Sequence, residues 1–286
     1  MRYGPLLIVL ASSAAAAAGI AAAQSAPPVG QAPARQAPAS QAPVANPSVQ
    51  TRAAPYLAPG SFDIVQSLEA APAKDDPRYA SDRAIFKQTR KLVGTPRYAL
   101  ATSDADYTLP ALMHDFSCAT GVTLTPSTAP RLAALMGRAG ADTQRAAGVA
   151  KRSNKRQRPF LIDHGPICQP ESELADSYDY PSGHTTWGWT WGTILAELAP
   201  DRATPIMARA RAYGESRVIC GAHNASAVEA GRQTATATLS VVRTSPAYQA
   251  DFAAARDELA ALRRSGPAPD AGSCSAEAAL VAERDY

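Results

Sequence analysis

The sequence predicts an all-α globular fold built around one central, buried helix. Aromatic residues make up only 6% of the 286 residues, and alanine supplies much of the 46% apolar fraction. Alanine favours helices and is poor in strands, so this composition favours a helical protein. The stretch from His184 to Leu198 is apolar on almost every side, which is typical of a buried helix. No run of alternating polar and apolar residues predicts a strand.

Helical spacing of apolar residues recurs from about residue 61 onwards. The first predicted helix covers Ala84 to Val93. The next begins at Pro130, behind a cap at Ser127 or Thr128, and continues to about Arg156. Beyond the central helix, which a proline ends, three further helices are predicted over 203–219, 224–243 and 246–264. We expect one domain over residues 61–266.

Both ends of the chain lie outside the predicted core. Residues 1–23 combine an early Arg2, an apolar run and small residues, which predicts a signal peptide cut after Ala23; the alternative is an uncleaved membrane anchor. Residues 24–60 are rich in proline, alanine and glutamine, which favours a disordered linker. Residues 267–286 are predicted to form a loose tail. We therefore expect a periplasmic or secreted protein, free of the membrane once the signal is removed.

The four cysteines are expected to form disulfides, because export places a protein in an oxidising compartment. They are Cys118, Cys168, Cys220 and Cys274. Four cysteines allow three pairings, and the sequence does not choose among them. The alternative is that some remain free and buried. Their spacing does not resemble that of paired zinc ligands, so no metal site is expected.

A first candidate anion-binding segment runs from Lys151 to Pro159. Lys151 and Arg158 are seven residues apart, so on a helix they would share a face, and Pro159 would end that helix. Two such cations suit a phosphate, which arginine binds bidentately. The alternative is a solvated basic face or a nucleic-acid patch, since residues 145–158 hold six basic and no acidic residues. A net charge of +3 is too mild to argue for nucleic acid by itself.

A second candidate segment immediately precedes the central helix. Ser182 is a natural helix cap, and Gly183 permits close approach of the backbone to a ligand. The free amides and positive dipole of a helix N-terminus attract anions. His184 would lie in the first turn, where it could donate a proton to a leaving oxygen. The alternative is an ordinary capped helix with a surface histidine.

A third candidate segment contains Arg217 and His223. Six residues separate them, so they would converge only if a helix ended in between, and Gly221 is well placed to end it. Arg217 would add a third cation and His223 a nucleophilic imidazole. The alternative is a routine helix end. Only four histidines occur in the chain, and two of them fall in these segments.

Together the segments resemble the PAP2 superfamily signature K-x6-R-P, P-S-G-H and S-R-x5-H. That superfamily includes bacterial class A nonspecific acid phosphatases, lipid phosphatases and vanadium haloperoxidases. The longer runs Tyr180 to Thr186, Leu195 to Pro200 and Gly214 to Gly221 look like the class A enzymes. The likeness covers roughly residues 75 to 260 and implies a helical bundle of the PAP2 type.

The resemblance implies a metal-free hydrolysis of phosphate monoesters, with no cofactor and no nucleic-acid partner. His223 would attack phosphorus and form a phosphohistidine, and His184 would protonate the leaving alcohol. The implied phosphate-binding residues are Lys151, Arg158, Ser182, Gly183 and Arg217. A homodimer is a further expectation by resemblance.

One position departs from the superfamily pattern. An aspartate is expected one helical turn after the nucleophilic histidine, where it would hold the imidazole tautomer, and this chain has Ala227 there. Three possibilities follow: another group orients His223, the enzyme is slow, or the protein binds phosphate esters with little or no turnover. A vanadate-dependent peroxidase is a further alternative, against which the short chain argues.

Overall fold

The computed structural model describes residues 54–286, and it is helical throughout. No strand occurs among these residues, so the all-α prediction is confirmed. Their ten α-helices are α1 Pro77–Thr89, α2 Pro96–Ser103, α3 Leu109–Asp115, α4 Ser117–Thr120, α5 Pro130–Asn154, α6 Gly183–Leu198, α7 Ala203–Ile219, α8 Ala225–Val242, α9 Pro246–Ser265 and α10 Ala271–Ala282. Short 3-10 helices lie at Ile64–Gln66, Arg90–Leu92, Pro159–Leu161, Glu171–Glu173 and Pro200–Arg202.

Helix α6 forms the centre of the bundle and packs against α5, α7 and α8. Its residues Trp191, Ile194 and Leu195 are completely buried and belong to the main hydrophobic cluster. The prediction of a central buried helix is therefore confirmed. The helix begins at Gly183, one residue before the predicted start.

Two glycines of α6 let α7 approach it closely. A Cβ atom on Gly188 would lie 2.3 Å from the ring of Tyr213, and one on Gly192 would lie 2.3 Å from the Cβ of Ala210. Neither position has room for a side chain, because real Cβ atoms do not tolerate such distances. This close contact holds the C-terminal half of α7, which carries Arg217, beside the start of α6.

The later helices match the predicted ones closely, whereas α5 ends early. Helices α7, α8 and α9 begin and end within one or two residues of the predicted bounds. Helix α5 ends at Asn154 instead of Arg156, because Lys155 adopts a left-handed conformation with φ of 50°. The residues after Lys155 therefore belong to a loop, so Arg158 is carried by a loop and not by α5.

The four cysteines form two disulfides, Cys118–Cys274 and Cys168–Cys220. Disulfide formation is thus confirmed, and the alternative of free buried cysteines is wrong. The first bond ties α10 to α4, and α10 also packs against α7 and α2. The segment expected to be a loose tail is therefore largely an attached helix.

Residues 54–60, which the sequence analysis places in the linker, contact the folded helices. The carboxylate of Asp142 on α5 accepts hydrogen bonds from the backbone amides of Tyr56 (2.7 Å) and Leu57 (3.2 Å). The ordered chain therefore begins earlier than predicted. The predicted signal peptide over 1–23 and most of the linker lie outside the described residues. Within the described part, no helix is long and apolar enough to cross a bilayer.

Candidate active site

Lys151 and Arg158 reach a common region from the last turn of α5 and from the loop after it. Because the helix ends just before Lys155, Arg158 is not on it, and the prediction that the two cations share a helical face is wrong. They converge nonetheless. The Cε atom of Lys151 lies 3.9 Å from an ideal Cβ position on Gly183, and Nη1 of Arg158 lies 3.1 Å from Nε2 of His223.

The N-terminus of α6 forms the floor of this region. Ser182 is the N-cap, and its Oγ accepts a hydrogen bond from the amide of Thr185 at 3.3 Å. The side-chain amide of Gln144 on α5 donates to the carbonyl of Gly183 at 2.8 Å, which fixes the turn. The first amides of a helix have no intrahelical acceptor. Those of Gly183 and His184 therefore suit an anion at the positive end of the helix.

Arg217 and His223 converge because α7 ends between them, as predicted. The helix stops at Ile219, and Gly221 takes a left-handed conformation with φ of +81°. The chain reverses there, so that the amide of His223 donates to the carbonyl of Arg217 at 3.1 Å.

Lys151, Arg158 and Arg217 lie close enough to lower one another's pKa, and none of them has a carboxylate within 4 Å among residues 54–286. They donate to neutral oxygens: Lys151 to the carbonyl of Tyr178, Arg158 to that of Ser177 at 2.7 Å, and Arg217 to Oε1 of Gln169. Nε of the fully buried Arg217 has no acceptor in the described part of the chain. Burial, with repulsion from Arg158, lowers the pKa of Lys151 to about 7, and burial lowers the pKa of each arginine to about 10. A bound anion would relieve this concentration of positive charge.

The two ring nitrogens of His223 have different partners, so one donates a hydrogen bond and the other accepts one. Nδ1 lies 2.9 Å from a carboxylate oxygen of Asp179, and Nε2 faces Arg158. Arginine only donates, so Nε2 must accept and the proton must sit on Nδ1. Burial and the neighbouring cations lower the pKa of His223 well below 6.5, which keeps the ring neutral. The lone pair of Nε2 therefore points into the cationic region.

Asp179 is the residue near the site that the sequence analysis missed. It lies in the loop before α6, is completely buried, and also accepts from the backbone amide (3.1 Å) and side-chain amide (2.8 Å) of Asn224. The superfamily pattern places a carboxylate downstream of His223 on the same helix, whereas Asp179 lies upstream in another segment. Asp179 could have been noticed as the acidic residue closest before the P-S-G-H motif.

His184 lies in the first turn of α6, as predicted, across from His223. Its Nε2 lies 3.0 Å from the carbonyl of Ala105, which only accepts, so Nε2 carries a proton. The other nitrogen, Nδ1, therefore carries the lone pair when the ring is neutral. Burial and Arg217 lower the pKa of His184 well below 6.5. The ring centre of the exposed Tyr107 lies 4.5 Å from that of His184.

Comparison with known proteins identifies the family of this chain. Residues 132–251 match the PAP2 superfamily. An acid phosphatase of Zymomonas mobilis is 39% identical over 217 residues, which cover 75% of this chain and 82% of that protein. The chain belongs to the PAP2 superfamily. Non-specific acid phosphatases of Salmonella typhimurium and Providencia stuartii are 35% and 31% identical, over 67% and 71% of this chain and 78% and 84% of their own lengths.

The basic stretch of this PAP2 protein is mostly tied into the fold rather than presented to solvent. Arg156 is buried and pairs with Asp82 at 2.7 Å, and Arg145 pairs with Asp142 at 2.7 Å. Lys151 and Arg158 line the site. Four of the six basic residues are therefore not available for a solvated face or a nucleic-acid patch. Only Arg152 and Lys155 of this stretch are exposed.

Proposed function

We propose that the protein is an exported acid phosphatase that hydrolyses phosphate monoesters without a metal, through a phosphohistidine at His223. One observation carries the proposal: the unprotonated Nε2 of His223 lies 3.1 Å from Arg158 and near Lys151 and Arg217, and none of these three cations has a carboxylate within 4 Å among residues 54–286. Relatives that bear the name acid phosphatase over most of their length support the same reaction.

The reaction has two steps that conserve atoms and charge. In the first, the lone pair of Nε2 of His223 forms a bond to phosphorus as the bond to the ester oxygen breaks. His184, protonated on both nitrogens, gives its Nδ1 proton to that oxygen, and the alcohol leaves. In the second step, water attacks the phosphohistidine and gives a proton to His184. Phosphate is released, and His223 regains its lone pair.

The cations stabilise the charge that develops on the phosphoryl oxygens. Lys151, Arg158 and Arg217 would contact these oxygens together with the Gly183 amide, and Ser182 would hold the turn. This assignment explains why three neighbouring cations donate only to neutral acceptors within residues 54–286. Bound phosphate would also raise the pKa of His184, because it offsets the cations that lower it.

Export is supported by the signal-like start of the sequence and by the two disulfides. Reducing compartments rarely allow such bonds to persist. Comparing the mass of the protein isolated from the periplasm with that of the full chain would test cleavage after Ala23.

The direct test follows p-nitrophenyl phosphate hydrolysis at mildly acidic pH, with and without EDTA. We expect turnover that EDTA does not reduce and that His223→Ala abolishes. Rapid quenching with a ³²P-labelled ester should trap an acid-labile phosphoryl group on the wild type only. Activity in His223→Ala, or loss of activity with EDTA, would contradict the proposal.

The second candidate is a protein that binds phosphate esters with little or no turnover, and Ala227 is the observation that favours it. Calorimetry would then show phosphate or vanadate binding that Arg217→Ala removes, without any hydrolysis. Measuring binding and turnover on the same preparation separates the two candidates.

A further inference from the structure

We infer that Asp179 is the positioning residue for His223, and that it supplies from the loop before α6 the carboxylate that the superfamily pattern places at position 227 on α8. This inference rests on the proposed function. It also explains why Ala227 need not abolish activity. If Asp179 holds the imidazole of His223, the site still has a carboxylate that orients its nucleophile.

The contacts of Asp179 fix the carboxylate and the imidazole as one unit. One oxygen lies 2.9 Å from Nδ1 of His223 and 3.1 Å from the backbone amide of Asn224, the next residue in the chain. The other oxygen accepts from the side chain of Asn224 at 2.8 Å. The carboxylate is therefore bound to the same short segment that carries the nucleophile, and it has little freedom to turn away.

A second layer of contacts holds Asp179 itself. Its amide donates to the carbonyl of Arg156 at 2.9 Å, and Nε of Arg156 lies 3.6 Å from its carboxylate. The guanidinium of Arg156 is held in turn by Asp82 at 2.7 Å and by Ser226 at 2.6 Å. Burial raises the pKa of Asp179, and Arg156 with Asn224 opposes that shift. This buried network gives the loop residue a supported position, as an orienting group requires.

Position 227 no longer offers a place for this function. Ala227 is completely buried and belongs to an apolar cluster with Ala146, Ala150 and Tyr180. Its carbonyl accepts the amide of Ser182 at 2.8 Å, so the start of α8 is pressed against the cap of α6. An aspartate there would bury a charge among apolar groups, while the only N–H of the His223 ring is already bound by Asp179.

The role of Asp179 is electrostatic and orienting. Its hydrogen bond keeps the proton on Nδ1 and leaves the Nε2 lone pair for phosphorus. When the N–P bond forms, positive charge develops on the ring, and the buried carboxylate stabilises it. In the Ser-His-Asp triad of serine proteases, changing the comparable aspartate to asparagine lowers kcat about 10⁴-fold.

The test compares Asp179→Asn with Asp142→Asn, a matched control. Asp142 is buried like Asp179 and likewise accepts three hydrogen bonds, here from two backbone amides and an arginine, but it lies outside the site. For Asp179→Asn we expect kcat to fall by about 10²-fold or more, on the scale of the triad variant, with binding of tungstate retained. For Asp142→Asn we expect a lower Tm and unchanged kcat.

Two further measurements decide the inference even if Asp179→Asn does not fold. ¹⁵N NMR of the wild type should show His223 protonated on Nδ1 and unprotonated on Nε2. Ala227→Asp should not raise kcat, because Asp179 already orients the imidazole of His223. The opposite tautomer, a rise of about tenfold or more in Ala227→Asp, or a folded Asp179→Asn with wild-type kcat would each overturn the inference.

These outcomes are distinct from failure of the proposed function. Absence of turnover in the wild type, or full activity in His223→Ala, would reject the phosphatase mechanism. The NMR tautomer would still report whether Asp179 positions the imidazole.

Discussion

Nη1 of Arg158 lies 3.1 Å from Nε2 of His223, so a permanent cation contacts the same nitrogen that would attack phosphorus. The same Nη1 donates to the carbonyl of Ala222 at 2.9 Å, which holds the guanidinium in place. A proton on Nε2 would be repelled by this cation. Arg158 therefore adds to burial in lowering the pKa of His223 well below 6.5.

The first prediction concerns the acid side of the pH profile. A lowered pKa keeps His223 unprotonated and reactive as the pH falls, until the pH reaches that lowered value. Arg158→Gln removes a nearby cation, so the pKa of His223 should rise and the acid limb of kcat/KM should move to higher pH. NMR titration of the His223 ring should show the same direction.

The matched control for this prediction is Arg152→Gln, an exposed residue of the same basic stretch. Arg152→Gln should change neither the acid limb of the kcat/KM profile nor the NMR titration of His223. If the acid limb of kcat/KM in Arg158→Gln stays at the wild-type pH or moves to lower pH, Arg158 does not control the protonation of His223.

The second prediction concerns Lys151, whose pKa is lowered to about 7 by burial and by Arg158. A bound dianion favours the charged lysine and raises this pKa, so binding above about pH 7 requires uptake of a proton. The affinity for sulfate, which stays a dianion in this range, should fall by up to about tenfold per pH unit between roughly pH 7 and 9. Calorimetry measures this dependence.

Arginine stays charged in this range, so Lys151→Arg should remove the decline in sulfate affinity above pH 7. Lys155→Arg, a nearby exposed control, should retain it. A wild-type affinity that stays constant up to pH 9 would mean that Lys151 is charged throughout or does not contact the anion.

The third prediction tests His184 as the general acid. An acid matters most when the leaving oxygen is strongly basic, as in an alkyl phosphate, and least for p-nitrophenolate. We expect His184→Ala to lower kcat/KM for glycerol phosphate by about 10²- to 10⁴-fold and for p-nitrophenyl phosphate far less. The ratio kcat/KM is the appropriate measure, because it reports phosphorylation and not the later hydrolysis.

His114→Ala serves as the control, since that side chain is 89% exposed on α3. It should change neither rate. Equal losses on both esters in His184→Ala would indicate that His184 binds the phosphoryl group or supports the turn instead of protonating the leaving oxygen.

The sequence predicts the parts of this site that depend on neighbours along the chain. The Ser182 cap, the helix end near Gly221 and the buried α6 each follow from local signals, and the structure agrees with all three. The convergence of the three segments is not local. It was expected through the resemblance and not from the spacing of the residues.

The sequence analysis fails where contacts come from distant segments or from one unusual backbone conformation. The left-handed Lys155 removes Arg158 from α5, although lysine rarely adopts that conformation and nothing in its neighbourhood announces it. Asp179 lies 44 residues from His223, so no helical periodicity relates the two. Likewise, the bond Cys118–Cys274 holds α10 in place. Together with Cys168–Cys220 it forms one of the three pairings that the sequence left open.

The fourth prediction compares the two disulfides. Cys168–Cys220 joins the loop before α6 to the end of α7, and the amide of Cys168 donates to the carbonyl of Cys220 at 3.1 Å. The next residue, Gln169, accepts a hydrogen bond from Arg217. Replacing both cysteines by alanine should therefore lower Tm and also raise KM. Without the bond, the loop that carries Gln169 is no longer tied to α7, and Gln169 no longer holds Arg217 in place.

Cys118–Cys274 gives the contrast, since it joins α4 to α10 and neither helix carries a residue of the three site segments. It closes a longer loop, with a sequence separation of 156 against 52. Chain entropy alone predicts losses in unfolding free energy of about 5 and 4 kcal/mol respectively. We expect the Cys118→Ala/Cys274→Ala variant to lose stability while KM for p-nitrophenyl phosphate stays constant. Thermal denaturation and steady-state kinetics on both variants check this, and equal effects on KM would show that the Cys168–Cys220 bond has no special relation to the site.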